Sequence, residues 1–253
     1  MTDYYVRSTD GVDGDSGATW ALAKAKLSLG GSVPGSGAQI NVSYLHAETG
    51  TGYTMTTYSG TAANPIRILS VDDAAEPPTA LLAGAQVTAT TSFTTRMGQY
   101  WWGFTFIMSG ASANFLMSPG SASDNVQEFE NCDVYLTGAG STQLIKMNTQ
   151  GCDIRWKDVG VQFSHASQAI KAEVGSSKFH WKGGSVISGG TSPTSLFKLD
   201  LVTTSSSHIV VENVDLSACD AAMHIIGTMS GLNSTFMMRR CKLPAAWTGN
   251  LLN

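Results

Sequence analysis

The chain offers few side chains with reactive chemistry, and their spacing limits what they do. The most evident carboxylate pair is Asp72-Asp73, in the run SVDDAAEPP. Two carboxylates converging on one bond are what glycoside cleavage requires, one to protonate the leaving oxygen and one to attack or to activate water. The other route on an extended scaffold is a calcium cluster with a basic proton acceptor. Neighbouring residues in a strand face opposite ways, so Asp72 and Asp73 address one substrate only from a turn. The Ala-Ala-Glu-Pro-Pro that follows reads as a turn or surface loop, and the pair is taken as a solvated turn. His46 and Glu48 follow the apolar stretch INVSYL and, beside Asp72 and Asp73 of the next such stretch, form the best polar cluster in the sequence. A hydrogen-bond network is expected there ahead of a metal or acid–base site. Asp133, Asp153, Asp158, Asp215 and Asp220 are scattered. The histidines, at 46, 165, 180, 208 and 224, have no i, i+2 or i, i+4 metal spacing. The cysteines, at 132, 152, 219 and 241, form no CxxC pair and have no histidine at ligand spacing, so they read as buried free thiols of a reducing cytosol. No residue is therefore assigned as catalytic, cofactor-binding or metal-binding. No cofactor is expected, and enzymatic activity is kept only as an alternative.

Composition narrows the classes further. Hydrophobic residues make up 42% of 253, enough for a core, while charged residues are 13%, about half the usual ~25%. A net charge of −4 argues against nucleic acid as a partner, which calls for clustered Lys and Arg. No apolar run approaches the length of a membrane helix, and Met1–Asp10 lacks the basic start and apolar stretch of a signal peptide. GSVPGSGAQ has no Walker lysine, GVDGDSG lacks strand–helix phasing, and the Asn-Ser-Thr in GLNST carries no meaning without export.

What would position any site is an internal repeat. WWGFTF (101–106), FENCDV (129–134), IRWKDVGV (154–161), FHWKGGSV (179–186), IVVENVDL (209–216) and FMMRRCKL (236–243) align on Trp102, Phe129, Trp156, Trp181, Val211 and Met238. The spacings are 27, 27, 25, 30 and 27 residues, suited to one coil of a parallel β-helix. Ile154, Phe179, Ile209 and Phe236 stand two residues before the aligned position, which is strand alternation with both side chains inward. A charged column follows: Glu130, Lys157, Lys182, Glu212, Arg239. Next is a bend column of Asn131, Asp158, Gly183, Asn213 and Arg240, in which all but Arg240 tolerate left-handed backbone angles. Cys132, Val159, Gly184, Val214 and Cys241 then turn inward, followed two residues on by Val134, Val161, Val186, Leu216 and Leu243. In this phase Trp102, Trp156 and Trp181 are core and Trp101 faces out as a candidate subunit contact. Glu130 lies beside Lys157, Glu212 lies between Lys182 and Arg239, and Asp133 and Asp215 share a column three coils apart, about 14 Å. Roughly eight coils from residue 38 onward give a core about 40 Å long. Ser16–Leu29 is the one helix candidate, with Trp20, Ala23 and Leu27 on an apolar face, placed to cover the first coil. At the other end, either Trp247, Leu251 and Leu252 fold across the last coil or another chain covers it, and the second is preferred.

These features resemble a known family. YYVRSTDGVDGDSGATWALAKAKL (4–27) is similar to the opening of right-handed parallel β-helix proteins of the pectin-lyase-like class. GAQINVSYLHAETG (37–50) and GTAANPIRILSVDDAAEP (60–77) look like its first two coils, and FENCDV and VENVDL like its inward Asn-turn phrases. The resemblance implies an all-β, single-stranded right-handed parallel β-helix, with residues 1–35 as N-terminal strand and capping helix and 36–253 as the solenoid, one domain overall. Members of this spare type are similar to bacteriophage virion proteins, either tailspikes or head decorations. That implies a homotrimer on the virion surface, made in the host cytoplasm, contacting capsid or tail proteins and in some cases a host surface glycan, with no membrane partner. Tailspikes usually carry a particle-binding head or a C-terminal trimerisation region. Almost nothing follows the coils here, which favours a smaller decorating or cement protein. The alternatives on the same scaffold are a polysaccharide-degrading enzyme and a non-catalytic glycan-binding adhesin.

Overall fold

The computed structural model describes residues 3–28, 34–55, 60–96, 98–117, 125–140, 142–147, 151–173, 177–200, 207–230 and 234–252. Among these residues the chain is all-β: eighteen strands form one sheet in which every strand pairing is parallel. Each strand pairs with its equivalent about one repeat away, an arrangement compatible with a solenoid.

Numbered in chain order, the strands fall into three ladders. The first contains β1 (Asp3–Val6), β2 (Gln39–Ser43), β4 (Ile66–Val71), β6 (Gln99–Trp102), β9 (Asn125–Glu130), the first halves of β12 (Cys152–Phe163) and β14 (Ser177–Val186), then β16 (Ser207–Glu212) and β18 (Thr235–Arg239). The second contains the first halves of β3 (Ala47–Thr54) and β5 (Ala85–Thr95), then β7 (Phe104–Met108), β10 (Asp133–Leu136) and the second halves of β12 and β14. Single bridges from Ser185 to Asp215 and from Asp215 to Lys242 continue it. The third contains the second halves of β3 and β5, β8 (Asn114–Met117), β11 (Ile145–Met147), β13 (Ile170–Ala172), β15 (Ser195–Asp200) and β17 (His224–Ser230), ending in a bridge between Ile226 and Leu252.

Register makes each ladder a file of like side chains. The first file is Tyr4, Ile40, Ile68, Trp101, Phe129, Trp156, Trp181, Val211, Met238. The second includes Val87, Phe106, Val134, Val161 and Val186. The third is Tyr53, Phe93, Phe115, Ile145, Ile170, Phe197, Ile226. From Val6 to Ile226 these files merge into one core. Trp156 and Trp181 are buried inside it and meet edge to face at 5.6 Å, a geometry that adds to plain area burial.

The aligned repeat holds from Phe129 onward, and Cys132 lies inside as expected. The first segment is corrected by one residue. Trp101 is buried and in register with Ile68 and Phe129, whereas Trp102 is half-buried and faces outward. Gly103 decides this. At φ +76° it occupies the bend, as do Asn131, Asp158, Gly183, Asn213 and Arg240 with φ between 52° and 73°. A left-handed residue must stand two places after the inward aromatic, so Gly103 selects Trp101. Arg240, the apparent exception, takes the same conformation at φ 54°.

The expected helix is also corrected. Of Ser16–Leu29, Leu29 lies outside the described residues, and the rest contains only a 3-10 turn at Trp20–Leu22. Trp20, Ala23 and Leu27 are buried as the apolar face required, but the backbone does other work. Lys24 N–H donates to Tyr5 O, Arg7 N–H to Lys24 O, and Tyr5 N–H to Gly17 O. The segment therefore satisfies the open edge of β1, and those tertiary bonds outcompete a weak helical preference. Lys24 itself is buried, its ammonium on the carbonyls of Asp13 and Asp15.

At the C-terminal end Trp247 Nε1 donates to Met223 O at 2.8 Å, and Ile226 N–H donates to Leu251 O. The tail thus supplies the third side of the last coil and is not a lid across it.

Candidate functional site

Strand alternation sends every second side chain of the first ladder outward. Two outer columns result. One stacks Arg67, Tyr100, Glu128, Arg155 and His180. The other stacks Trp102, Glu130, Lys157, Lys182 and Glu212. Rungs repeat at about 4.8 Å, so polar groups that are remote in sequence meet here. Three adjoining depressions of about 370, 170 and 200 Å³ run along this face, and Glu128 lines all three. The resulting groove leads from Arg67 and Leu81, past Tyr100, to His180 and Lys182.

Glu128, Glu130, Arg155 and Lys157 are paired within the chain. Tyr100 OH donates to Glu130 Oε2 at 2.8 Å, and the Lys157 ammonium pairs with the same carboxylate. Arg155 bridges Glu128 at 3.0 Å and Asp153 at 2.8 Å. Glu212, nearly buried, is met by Arg239 at 2.8 Å, by Arg240, and by His180 Nε2 at 3.7 Å. Partial burial acts to raise Glu130, but the Lys157 ammonium and the Tyr100 hydroxyl outweigh it and hold the carboxyl below its ordinary value. Burial, then the bond to Glu130, pushes the Tyr100 phenol up. Arg239 first, then Arg240, keeps Glu212 low. Glu130 is therefore a fixed anion at neutral pH and a poor proton donor. An aromatic edge flanked by paired cations and carboxylates suits a ligand rich in hydroxyl groups.

The predicted polar cluster divides. His46 is buried, with Nε2 3.2 Å from Glu48 Oε2, and that carboxylate also accepts Leu27 N–H at 2.9 Å. This network ties the N-terminal segment to the first coil, as expected of a hydrogen-bond role. Burial, with Glu48 beside it, pushes the nearby Tyr53 phenol up. Asp72 and Asp73 take other partners. Asp72 Oδ1 accepts Ala74 N–H in a turn, and Asp73 lies 3.8 Å from Arg7. Asp133 and Asp215 do share a column three rungs apart. Burial raises Asp133, whereas Ser217 and Lys242 lower Asp215 to about 2. Among the described residues no three His, Cys, Asp or Glu side chains converge as a metal-ligand set. Burial lifts the Cys132 and Cys219 thiols to about 12, which removes the thiolate needed for nucleophilic chemistry. The side chain of Cys152 lies outside the described residues.

The Glu130–Lys157 column is legible in the sequence, whereas the column through Tyr100, Glu128, Arg155 and His180 is not. The one-residue slip at Trp102 hid it, because it put Trp101 where Tyr100 belongs. Aligning Gly103 with Asn131 is the signal that recovers it. Fold and groove together define a class, an all-β protein of parallel stacked strands with a polar, aromatic-edged groove down one face. Comparison of the chain with protein family models, characterised proteins and solved structures gives no match.

Proposed function

We propose that the chain is a right-handed parallel β-helix that acts as a rigid structural protein on the surface of a bacteriophage virion, as a head decoration or tailspike-like component. The observation that carries this reading is the continuous first file from Tyr4 to Met238, kept in register through buried aromatic rings. Such a stack resists bending, and with only 13% charged residues much of its surface is uncharged, which supports side-by-side trimerisation and contact with capsid or tail proteins. The resemblance of residues 4–27 supports the β-helix, and the likeness of spare β-helix proteins to bacteriophage virion components supports the phage origin. Quantitative mass spectrometry of purified particles tests it: hundreds of copies fit head decoration, a few tens or fewer fit a tail component, and absence from particles overturns the proposal.

The groove favours a second reading, a host-glycan adhesin. Titration with host surface polysaccharide measures it. Binding weakened at least tenfold by Tyr100→Ala supports an adhesin, and release of new reducing ends would move the protein to the glycan-cleaving alternative. Binding indifferent to Tyr100 removes this reading.

A further inference from the structure

The charges on the outer face of the first ladder do not all find partners. Register sets Lys182 beside Glu212 and Lys178 beside Asp153, yet neither pair forms. The two oxygens of Glu212 are taken by Arg239 and Arg240, and Asp153 is taken by Arg155 of its own strand. Arg155 also holds Glu128, the carboxylate that shares a depression with Arg67. Among the described residues Arg67, Lys178 and Lys182 are left with neither an ion pair nor a side-chain hydrogen bond, and all three are exposed. They are not scattered over the molecule. Arg67 stands on β4 at one end of the groove and Lys182 on β14 at the other, while Lys178 and His180 precede Lys182 on the same outward face of β14.

We propose that this face takes an extended acidic polysaccharide, its anionic groups held by Arg67 at one end of the groove and by Lys178 and Lys182 at the other. The inference rests on the host-glycan reading and names the class of glycan. Four rungs separate Arg67 from Lys182, about 19 Å, so one small anion cannot meet both and a polymer can. Lys178 and Lys182 stand on either side of His180, about 13 Å apart along the strand. A lysine ammonium is a mobile point charge that accepts a carboxylate or a sulfate without fixed geometry. Between the two ends the pairs Glu128–Arg155 and Glu130–Lys157 offer donors and acceptors to hydroxyl groups, and the Tyr100 ring gives an edge for a sugar face. The net charge of −4 does not oppose the contact, because charges more than about 8 Å away are screened at physiological salt. A single-stranded nucleic acid is the other polyanion of this length, but it needs rings free for base stacking. Tyr100 and Trp102 are half-buried here, and the Tyr100 hydroxyl is tied to Glu130.

The test is calorimetric titration of the whole chain with dextran, carboxymethyl-dextran and dextran sulfate of matched length, which share one backbone and differ in charge. The expected result is binding of a charged polymer well above that of dextran, weakening as salt rises, with the tighter of the two naming the anionic group. An exposed ion pair contributes up to about fivefold, so the triple variant Arg67→Gln/Lys178→Gln/Lys182→Gln should weaken that binding by about tenfold or more. All three side chains are exposed, so the variant should keep the wild-type circular dichroism and melting curve. Lys26→Gln removes a cation from the N-terminal segment, outside the groove, and should leave binding unchanged. Dextran bound as tightly as the charged polymers, or charged polymers held equally by the triple variant, overturns the proposal and leaves the glycan reading standing. Charged polymers that fail to bind, where host surface polysaccharide binds through Tyr100, overturn the proposal alone. Failure of the polymers and of the host polysaccharide overturns both. Oligothymidylate bound as tightly as carboxymethyl-dextran would show attraction to any polyanion and overturns the proposal as well.

Discussion

Single backbone angles set the phase of this protein. Six successive bends, from Gly103 to Arg240, sit in the left-handed region, where a Cβ normally costs about 1–2 kcal/mol and Asn or Asp lose less than other residues. Asn213→Ala should therefore destabilise the fold by about 1 kcal/mol, and Asn213→Gly should be neutral within about 0.5 kcal/mol; urea unfolding of the two variants checks this. Two glycines are dictated by contact with backbone. A Cβ on Gly110 would lie 1.7 Å from Thr90 O, and one on Gly140 would lie 1.8 Å from Ala111 O. Asp215 gives a pH signature. Ser217 and Lys242 depress its carboxyl from 3.8 to about 2, so the stability it adds is complete above about pH 4 and is lost as pH falls through 2. Asp215→Asn should flatten that part of the acid-unfolding profile and leave stability at pH 7 reduced. An unchanged profile would show the carboxylate to be unpaired in solution.

At the scale of elements, an edge outranks local preference. Residues 16–28 have helical composition, yet the open hydrogen bonds of β1 draw Lys24 into an extended bridge, since each buried N–H or C=O left unpaired would cost more than a helical turn returns. The burial of Trp20, Ala23 and Leu27 was legible in the sequence, whereas the conformation that achieves it was not. Glu48 locks this segment in place. Glu48→Ala removes the carboxylate that accepts Leu27 N–H and meets the buried His46 ring, and should cost about 1–3 kcal/mol, read as a lower urea midpoint. The third ladder was not read from sequence. Its strands β11 and β13 are three residues long, too short for alternation to stand out. Only the recurrence of an apolar residue on either side of Lys146, Lys171 and Lys198 marks them.

For the whole molecule, stacking is what converts sparse charge into a surface. A chain with 13% charged residues gathers Glu128, Glu130, Arg155 and Lys157 on one face because register, not sequence proximity, makes them neighbours. The groove predicts its own titration. Tyr100→Phe removes a donor to Glu130, so that carboxyl should rise toward its ordinary value, measurable by carbon NMR titration; an unmoved value would mean that Lys157 alone holds it. Residue order alone establishes the all-β class, the repeat near 27 residues, the inward files from Phe129 onward and the bend residues, because side-chain alternation and left-handed angles are local properties written in residue type. Tertiary contacts alone place Trp101 and not Trp102 in the core, keep the N-terminal segment extended, and give Asp72 and Asp73 the partners Ala74 and Arg7. Each of those depends on which backbone edge a distant segment satisfies, and hydrogen-bond demand of that kind leaves no periodic trace in the chain.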